Sequence, residues 1–289
     1  MNISHQAYTL FCCLFFISIF GYTPAAKAQI KIMSYNIRYD NPDDAPNTWN
    51  NRKEDLAALI RFHRPIFLGT QEVLHNQLQD LNNLLEGYHS IGVGRKDGNT
   101  KGEYSAIFYD TTKAKLIAHT DSTIWLSKTP QKPSKSWDAA LPRILTWGKF
   151  RLTGSGKHIY VFNTHFDHIG KKARAQSAQL ILDTISNIAG DSPVVLTGDF
   201  NIPDDSEPYQ IINDSFLTDS QVETKLPPVG PAFTFNGFNI NKKSHRDRID
   251  YIFTNGKVDV KKYAVISSFK NDYYLSDHLP VISVIELIN

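Results

Sequence analysis

Several acidic and amide side chains stand where apolar runs of the sequence break off. Ile32-Met33-Ser34-Tyr35 leads to Asn36, and Phe67-Leu68-Gly69-Thr70 leads to Gln71-Glu72. Tyr160-Val161-Phe162 runs into Asn163-Thr164-His165-Phe166-Asp167-His168, and Val194-Val195-Leu196 into Thr197-Gly198-Asp199-Phe200-Asn201. Arg248-Ile249-Asp250-Tyr251 opens another run, and Ser276-Asp277-His278-Leu279-Pro280 precedes the last. Glu72, Asp199 and Asp277 are hard oxygen ligands, and Asn36 and Asn201 offer amide oxygens. Such a set suits Mg²⁺, or Mn²⁺, held together with water and a substrate phosphate. Zinc would prefer more imidazole or thiolate. His165 and His278 can donate protons or hydrogen bonds to phosphoryl oxygens, and Asp250 can orient His278 and raise its basicity. The chemistry these residue types support is metal-assisted phosphoryl hydrolysis by an activated water.

The elements that must position them alternate. Strand-like runs rich in Val, Ile, Phe and Tyr cover Ile30–Tyr39, Ile66–Gln71, Ser105–Tyr109, Ile144–Phe150, Ile159–Thr164, Val194–Thr197, Ile249–Phe253, Tyr263–Ser267 and Val281–Leu287. Helical periodicity marks Arg52–Phe62, Gln77–Leu85 and Lys171–Ile188, and Ser206-Glu207-Pro208 reads as the start of a short helix. In α/β sheets ligands bind beyond strand ends, so these clusters, distant in sequence, can converge on one pocket. No linker or repeat divides residues 29–289, and the Pro-, Ser- and Lys-rich stretch 127–136 is a loop. The expectation is one α/β domain.

Composition narrows the function. With 41% hydrophobic and 21% charged residues the chain is neither disordered nor fibrous, and a net charge of +2 excludes a protein that wraps nucleic acid by bulk charge. Residues 10–20, LFCCLFFISIF, are too short to span a bilayer, which needs about 20 residues. Ala26-Lys27-Ala28 follows as a small-x-small pattern. Residues 1–28 therefore read as a signal peptide cut before Gln29, which makes the product secreted or periplasmic. Cys12 and Cys13 leave with it, so the mature chain has no disulfide, no thiol catalysis and no cysteine–zinc site. No other long apolar run exists, so stable membrane insertion is not expected, and a monomer is.

The order Ser34-Tyr35-Asn36, Gln71-Glu72, Asn163-Thr164-His165, Gly198-Asp199-Phe200-Asn201, Asp250-Tyr251 and Ser276-Asp277-His278 closely resembles the endonuclease/exonuclease/phosphatase superfamily. The resemblance implies an α/β four-layer sandwich, two packed mixed sheets with helices outside. It also implies roles. Glu72 would be the main Mg²⁺ ligand, with Asn36 beside it and Asp277 close by. Asp199 would activate or orient water, or protonate the leaving group. Asn201 and His165 would hold phosphoryl oxygens. His278, paired with Asp250, would act as general base or transition-state stabiliser. Deoxyribonuclease and abasic-site members usually carry an acidic residue two positions after the first Asn. Arg38 stands there in this sequence, which moves it toward the deadenylase-like and lipid- or small-molecule-directed branches.

Residues outside the shared motifs would choose the substrate. Arg38, Trp49, Arg143 and His168 are the candidates at the mouth. Trp137 and the basic stretches around Lys171–Arg174 and Lys242–Arg248 adjoin the motif loops. The leading reading is an exported Mg²⁺-dependent phosphodiester hydrolase acting on a phosphate ester of nucleic acid, glycan or lipid headgroup. The alternative is a phosphomonoesterase for a phosphorylated sugar or inositol. A non-catalytic binding protein of the same fold would show gaps at the metal and His–Asp positions, and none is present.

Overall fold

The computed structural model describes residues 29–239, 247–267, 269–270 and 273–288. The expected signal segment 1–28 lies outside the described residues, as do Lys242, Lys243, His245 and Arg246. In chain order the strands are β1 (Ile30–Asn36), β2 (Phe67–Val73), β3 (Tyr88–Ile91), β4 (Tyr104–Asp110), β5 (Ala114–Leu116), β6 (Ser122–Trp125), β7 (Ile144–Leu152) and β8 (His158–His165). They continue as β9 (Val194–Asp199), β10 (Leu217–Asp219), β11 (Asp250–Asn255), β12 (Val258–Val265), a ribbon of β13 (Phe269–Lys270) and β14 (Tyr273–Tyr274), and β15 (Val281–Leu287). The helices are α1 (Trp49–His63), α2 (His75–Leu84), α3 (Lys171–Ala189), α4 (Glu207–Asn213) and α5 (Ser220–Glu223).

Two mixed sheets form, ordered β12-β15-β1-β2-β4-β3 and β10-β11-β9-β8-β7-β5, with β6 beside β7. Within them β1 runs parallel to β2 and β8 parallel to β9, while the other pairs are antiparallel. The period of two along each strand sorts its side chains. On β1, Ile30 and Ile32 join Phe67, Ile107, Phe150, Val161, Val195 and Ile252 between the sheets. Met33 and Tyr35 point the other way, toward Leu56 and Ile60 of α1 and Leu81 of α2. Beyond the second sheet Phe162, Leu196 and Phe253 pack on Ile181 and Ile185 of α3 and Ile212 of α4. The layers are thus helix, sheet, sheet, helix, as the resemblance implied.

The inner faces turn polar toward one end. After Ile32 the inward positions of β1 are Ser34 and Asn36, and after Val195 those of β9 are Thr197 and Asp199. Because the two parallel pairs put their carboxyl ends together, this polarity switch gathers at one end of the sandwich. The sheets are stitched there by hydrogen bonds from Gln71 Nε2 to Asn163 Oδ1 at 2.7 Å, and from Thr197 Oγ1 to the same oxygen at 3.0 Å. Gly69 makes the close approach possible, since a Cβ there would lie 2.1 Å from Thr197 Oγ1.

Boundaries differ from expectation where backbone conformation intervenes. The first strand stops at Asn36 rather than Tyr39, because Arg38 adopts a left-handed φ of 57°. The segment expected as Tyr263–Ser267 begins at Val258 and ends at Val265. The edge strands β3, β5, β6 and β10 are only three or four residues each, too short to raise a periodic signal. Among the described residues no helix is long and apolar enough to cross a membrane.

Candidate active site

The polar end of the sandwich opens into a cavity of about 640 Å³. Asn36 closes the carboxyl end of β1 at its floor. Its Nδ2 donates to Asp199 Oδ2 at 2.9 Å and to Glu72 Oε1 at 3.2 Å, while its Oδ1 accepts the Arg38 backbone N–H at 3.0 Å. The sequence reading offered Asn36 as an amide-oxygen metal ligand. In the structure the amide oxygen accepts the Arg38 N–H while the NH₂ faces Asp199 and Glu72. Asn36 therefore braces two carboxylates.

Asp250 opens β11 directly opposite Asp199 on β9, and its Oδ2 meets His278 Nδ1 at 2.8 Å. The other ring nitrogen faces Asp199 Oδ2 at 3.7 Å. Burial alone would discharge His278, but Asp250 and Asp199 outweigh it and hold its pKa well above the usual histidine value. His165, at the end of β8, lies 3.4 Å from Asp199 Oδ2. Burial, reinforced by Arg143 and Arg95, holds it well below the usual value, so it is a neutral imidazole. Burial and the neighbouring Asp250 push Asp199 up to about 7, and burial with Glu72 nearby pushes Asp277 up to about 6.

Those raised carboxylates are the test of whether a divalent cation fits. Burial strips these carboxylates of water, and Asp250 beside Asp199 and Glu72 beside Asp277 add a repulsion that a dication would relieve. Ligand atoms of Glu72, His165 and Asp199 lie within 4.8 Å of one another, as do those of Asp199, Asp250 and His278. The first group is the better seat, since Glu72 reaches the cavity while Asp250 is committed to His278. Asp277 belongs to neither group; its Oδ2 is 3.7 Å from Arg38 NH1. A bound dication would polarise a phosphoryl oxygen and lower the pKa of a coordinated water. Around it, Asp199 can take or give a proton, and the His278 imidazolium can stabilise charge on phosphoryl oxygens. Neutral His165 can donate one hydrogen bond, and Asn201 lines the same wall.

Arg38 is fixed rather than free. It holds Asp44 through Nε at 2.8 Å and NH2 at 3.0 Å, and NH1 stands 3.9 Å from Glu72 Oε2. Its carbonyl accepts from buried Arg52 NH2 at 2.6 Å. Arg143 and His168 also meet at the cavity, Arg143 NH2 donating to His168 Nδ1 at 3.1 Å.

Trp49 is a correction. It is 1% exposed at the start of α1 and its indole donates to Asp80 Oδ2 at 2.7 Å. Arg52 lies over its ring, and it does not line the cavity. The polar loop before it reads as a mouth, but the helix it opens turns the indole into the core. Trp125 and Trp147 are buried, and Trp137 lines a separate groove against α3.

Arg95 and Glu103 line the cavity without having been singled out by sequence. They come from a polar loop between β3 and β4 whose composition resembles any surface turn; the one clue is that Glu103 immediately precedes a strand. Arg95 NH2 donates to Glu103 Oε1, whose other oxygen is 3.9 Å from His165 Nδ1.

Comparison with known proteins agrees with this fold. The sequence pattern of the Endonuclease/Exonuclease/phosphatase family matches residues 33–278. A structure of an endonuclease/exonuclease/phosphatase from Bacteroides vulgatus is 40% identical, covers 90% of this chain and 100% of its own, and superposes with a TM-score of 0.86. A mannosyl-6-phosphatase from Bacteroides thetaiotaomicron is 38% identical over 90% of this chain and 100% of its own, with a TM-score of 0.83. An uncharacterized protein of Acanthamoeba polyphaga mimivirus is 29% identical over 82% of this chain and 92% of its own length.

Proposed function

Because the chain belongs to the Endonuclease/Exonuclease/phosphatase family of phosphoester hydrolases, we propose that it is a divalent-metal-dependent phosphomonoesterase for a sugar-sized substrate, exported after cleavage before Gln29. The observation that carries this reading is the charge balance of the cavity. Among the described residues each arginine that lines it faces a carboxylate: Arg38 faces Asp44, Arg95 faces Glu103, and Arg143 lies 3.7 Å from Asp167. Nucleic-acid backbones are tracked by uncompensated basic stripes, and these arginines do not make one. The volume of about 640 Å³ suits a phosphorylated monosaccharide. The phosphatase named among the relatives points the same way, so the monoester alternative takes precedence over the diester reading favoured by the motifs alone.

The chemistry asks the chain for three things. Glu72, with Asp199 and His165 close by, would seat Mg²⁺ or Mn²⁺. Asp199, its proton affinity poised near neutrality, would handle the proton of the attacking water or of the leaving alcohol. The His278 imidazolium would face the phosphoryl oxygens, kept charged by Asp250.

The experiment compares mannose 6-phosphate with bis(p-nitrophenyl) phosphate, each with Mg²⁺ and with excess chelator. Chelator-sensitive monoester hydrolysis at least 100-fold faster than diester hydrolysis is expected. Faster diester cleavage would overturn the monoester reading, and chelator-resistant hydrolysis would overturn the metal dependence.

A further inference from the structure

Two guanidinium groups in the cavity carry more donors than the protein uses. Arg95 and Arg143 are each 5% exposed and both line the cavity. Arg95 spends NH2 on Glu103, and Arg143 spends NH2 on His168. Arg95 Nε and Arg143 NH1 are buried with no hydrogen-bond acceptor among the described residues, whereas Arg143 Nε faces Asp167 Oδ2 at 3.7 Å. Buried donors left unpaired are costly, and such groups at a cavity wall call for an acceptor from a ligand. His168 adds another donor. Its Nδ1 accepts from Arg143, so its ring proton sits on Nε2. Glu103 supplies the acceptor.

The set is charge-compensated and offers donors and an acceptor side by side. That combination matches hydroxyl groups, each of which donates and accepts, better than it matches a second anion. Its position fits as well. Asp199 ends β9, His165 ends β8 and Arg143 precedes β7, so the Arg143 backbone starts two strand spacings, about 10 Å, from that of the reacting carboxylate. The non-reacting end of a hexose phosphate reaches about that far.

We propose that Arg95, Glu103, Arg143 and His168 form a hydroxyl-reading subsite that holds the sugar ring of the substrate while its phosphate sits between Glu72, Asp199 and His278. The subsite deepens the phosphomonoesterase reading and rests on it. It makes the enzyme selective for a polyhydroxylated leaving group over a plain aryl or alkyl alcohol. A site built to hydrogen-bond a substrate hydroxyl rejects an analogue lacking it, because the buried partners are then stranded.

The test uses the Mg²⁺-loaded protein and three substrates: mannose 6-phosphate, its 2-deoxy analogue, and p-nitrophenyl phosphate. Arg95→Met and Glu103→Gln are the variants, with Arg143→Lys as a third that keeps the charge and loses the fork. The wild-type protein is expected to favour mannose 6-phosphate over p-nitrophenyl phosphate in kcat/KM. Arg95→Met should lower that ratio at least tenfold, chiefly through KM, with the melting temperature of the loaded protein retained. Glu103→Gln should fall between, since an amide keeps an acceptor. The 2-deoxy penalty should shrink in the variants. A ratio unchanged within twofold in every variant would overturn the subsite, because a structural role lowers both substrates together. If the wild-type protein hydrolyses no monoester, the phosphomonoesterase reading has failed instead. Calorimetric titration of free mannose then reads the subsite alone: saturable binding lost in Arg95→Met upholds it, and no binding overturns it.

Discussion

Replacing Asp250 by Asn keeps the size and the hydrogen bond of its side chain but removes the charge facing His278. The bond spans 2.8 Å between two buried groups. A hydrogen bond to a charged partner contributes roughly 1.5–3 kcal/mol, and one pKa unit corresponds to about 1.36 kcal/mol. The His278 pKa should therefore fall by about 1–2 units. The sign follows from linkage. A histidine whose folded pKa lies above its unfolded value stabilises the fold below the unfolded value, near pH 6.5, and loses that contribution as pH rises through the folded value. In Asp250→Asn the loss should come at lower pH than in the wild-type protein. NMR titration of the His278 ring in metal-free protein measures the shift directly. The alkaline limb of kcat against pH should move down with it if the imidazolium is the working form. A shift under about 0.5 unit, against the 1–2 expected from the charged bond, would refute the claim that Asp250 holds the charge on His278. A large shift with an unmoved alkaline limb would refute the imidazolium's part in turnover.

Two other substitutions probe the floor of the site. Glu72→Gln should raise the Mg²⁺ concentration for half-saturation at least tenfold, read by calorimetry as well as by rate; an unchanged isotherm would make Glu72 structural. Arg52→Met strips donors from the carbonyls of Asn47, Arg38 and Leu275, at 3.0, 2.6 and 3.2 Å, and from that of Ile37. Stranded buried acceptors cost about 1–3 kcal/mol each, partly offset by no longer burying a guanidinium, so urea denaturation should show a loss of about 3–5 kcal/mol. A loss under about 1 kcal/mol would mean that water replaces the guanidinium without difficulty.

The catalytic end was legible because polarity switches abruptly at strand ends. Asn36, Glu72, His165, Asp199 and His278 each follow or precede an apolar run, and the structure brings them together. What the sequence could not convey is which groups face each other across the sheets. The register pairing Asp250 with Asp199 decides why His278 stays charged, and no spacing along the chain encodes it. Trp49 misled because a polar loop precedes it, whereas its burial follows from the helix it begins. Arg95 and Glu103 escaped notice because a loop of Lys, Gly, Asp and Asn looks alike whether it lines a cavity or meets solvent. The short edge strands failed for a simpler reason, since three residues do not establish a period of two.

Arg38, Glu72 and Asn201 all hold left-handed backbone, with φ of 57°, 62° and 51°. Each such residue resists its own conformational preference by about 1 kcal/mol or more. A library selected only for heat resistance would therefore drift toward glycine at all three positions, shedding the guanidinium, the carboxylate and the amide in turn. The survivors would melt later and hydrolyse nothing. Arg64, His119, Trp137 and Phe238 hold left-handed backbone away from the chemistry, so an effort to harden this protein has those positions to relax first and has to screen for turnover when it reaches the other three.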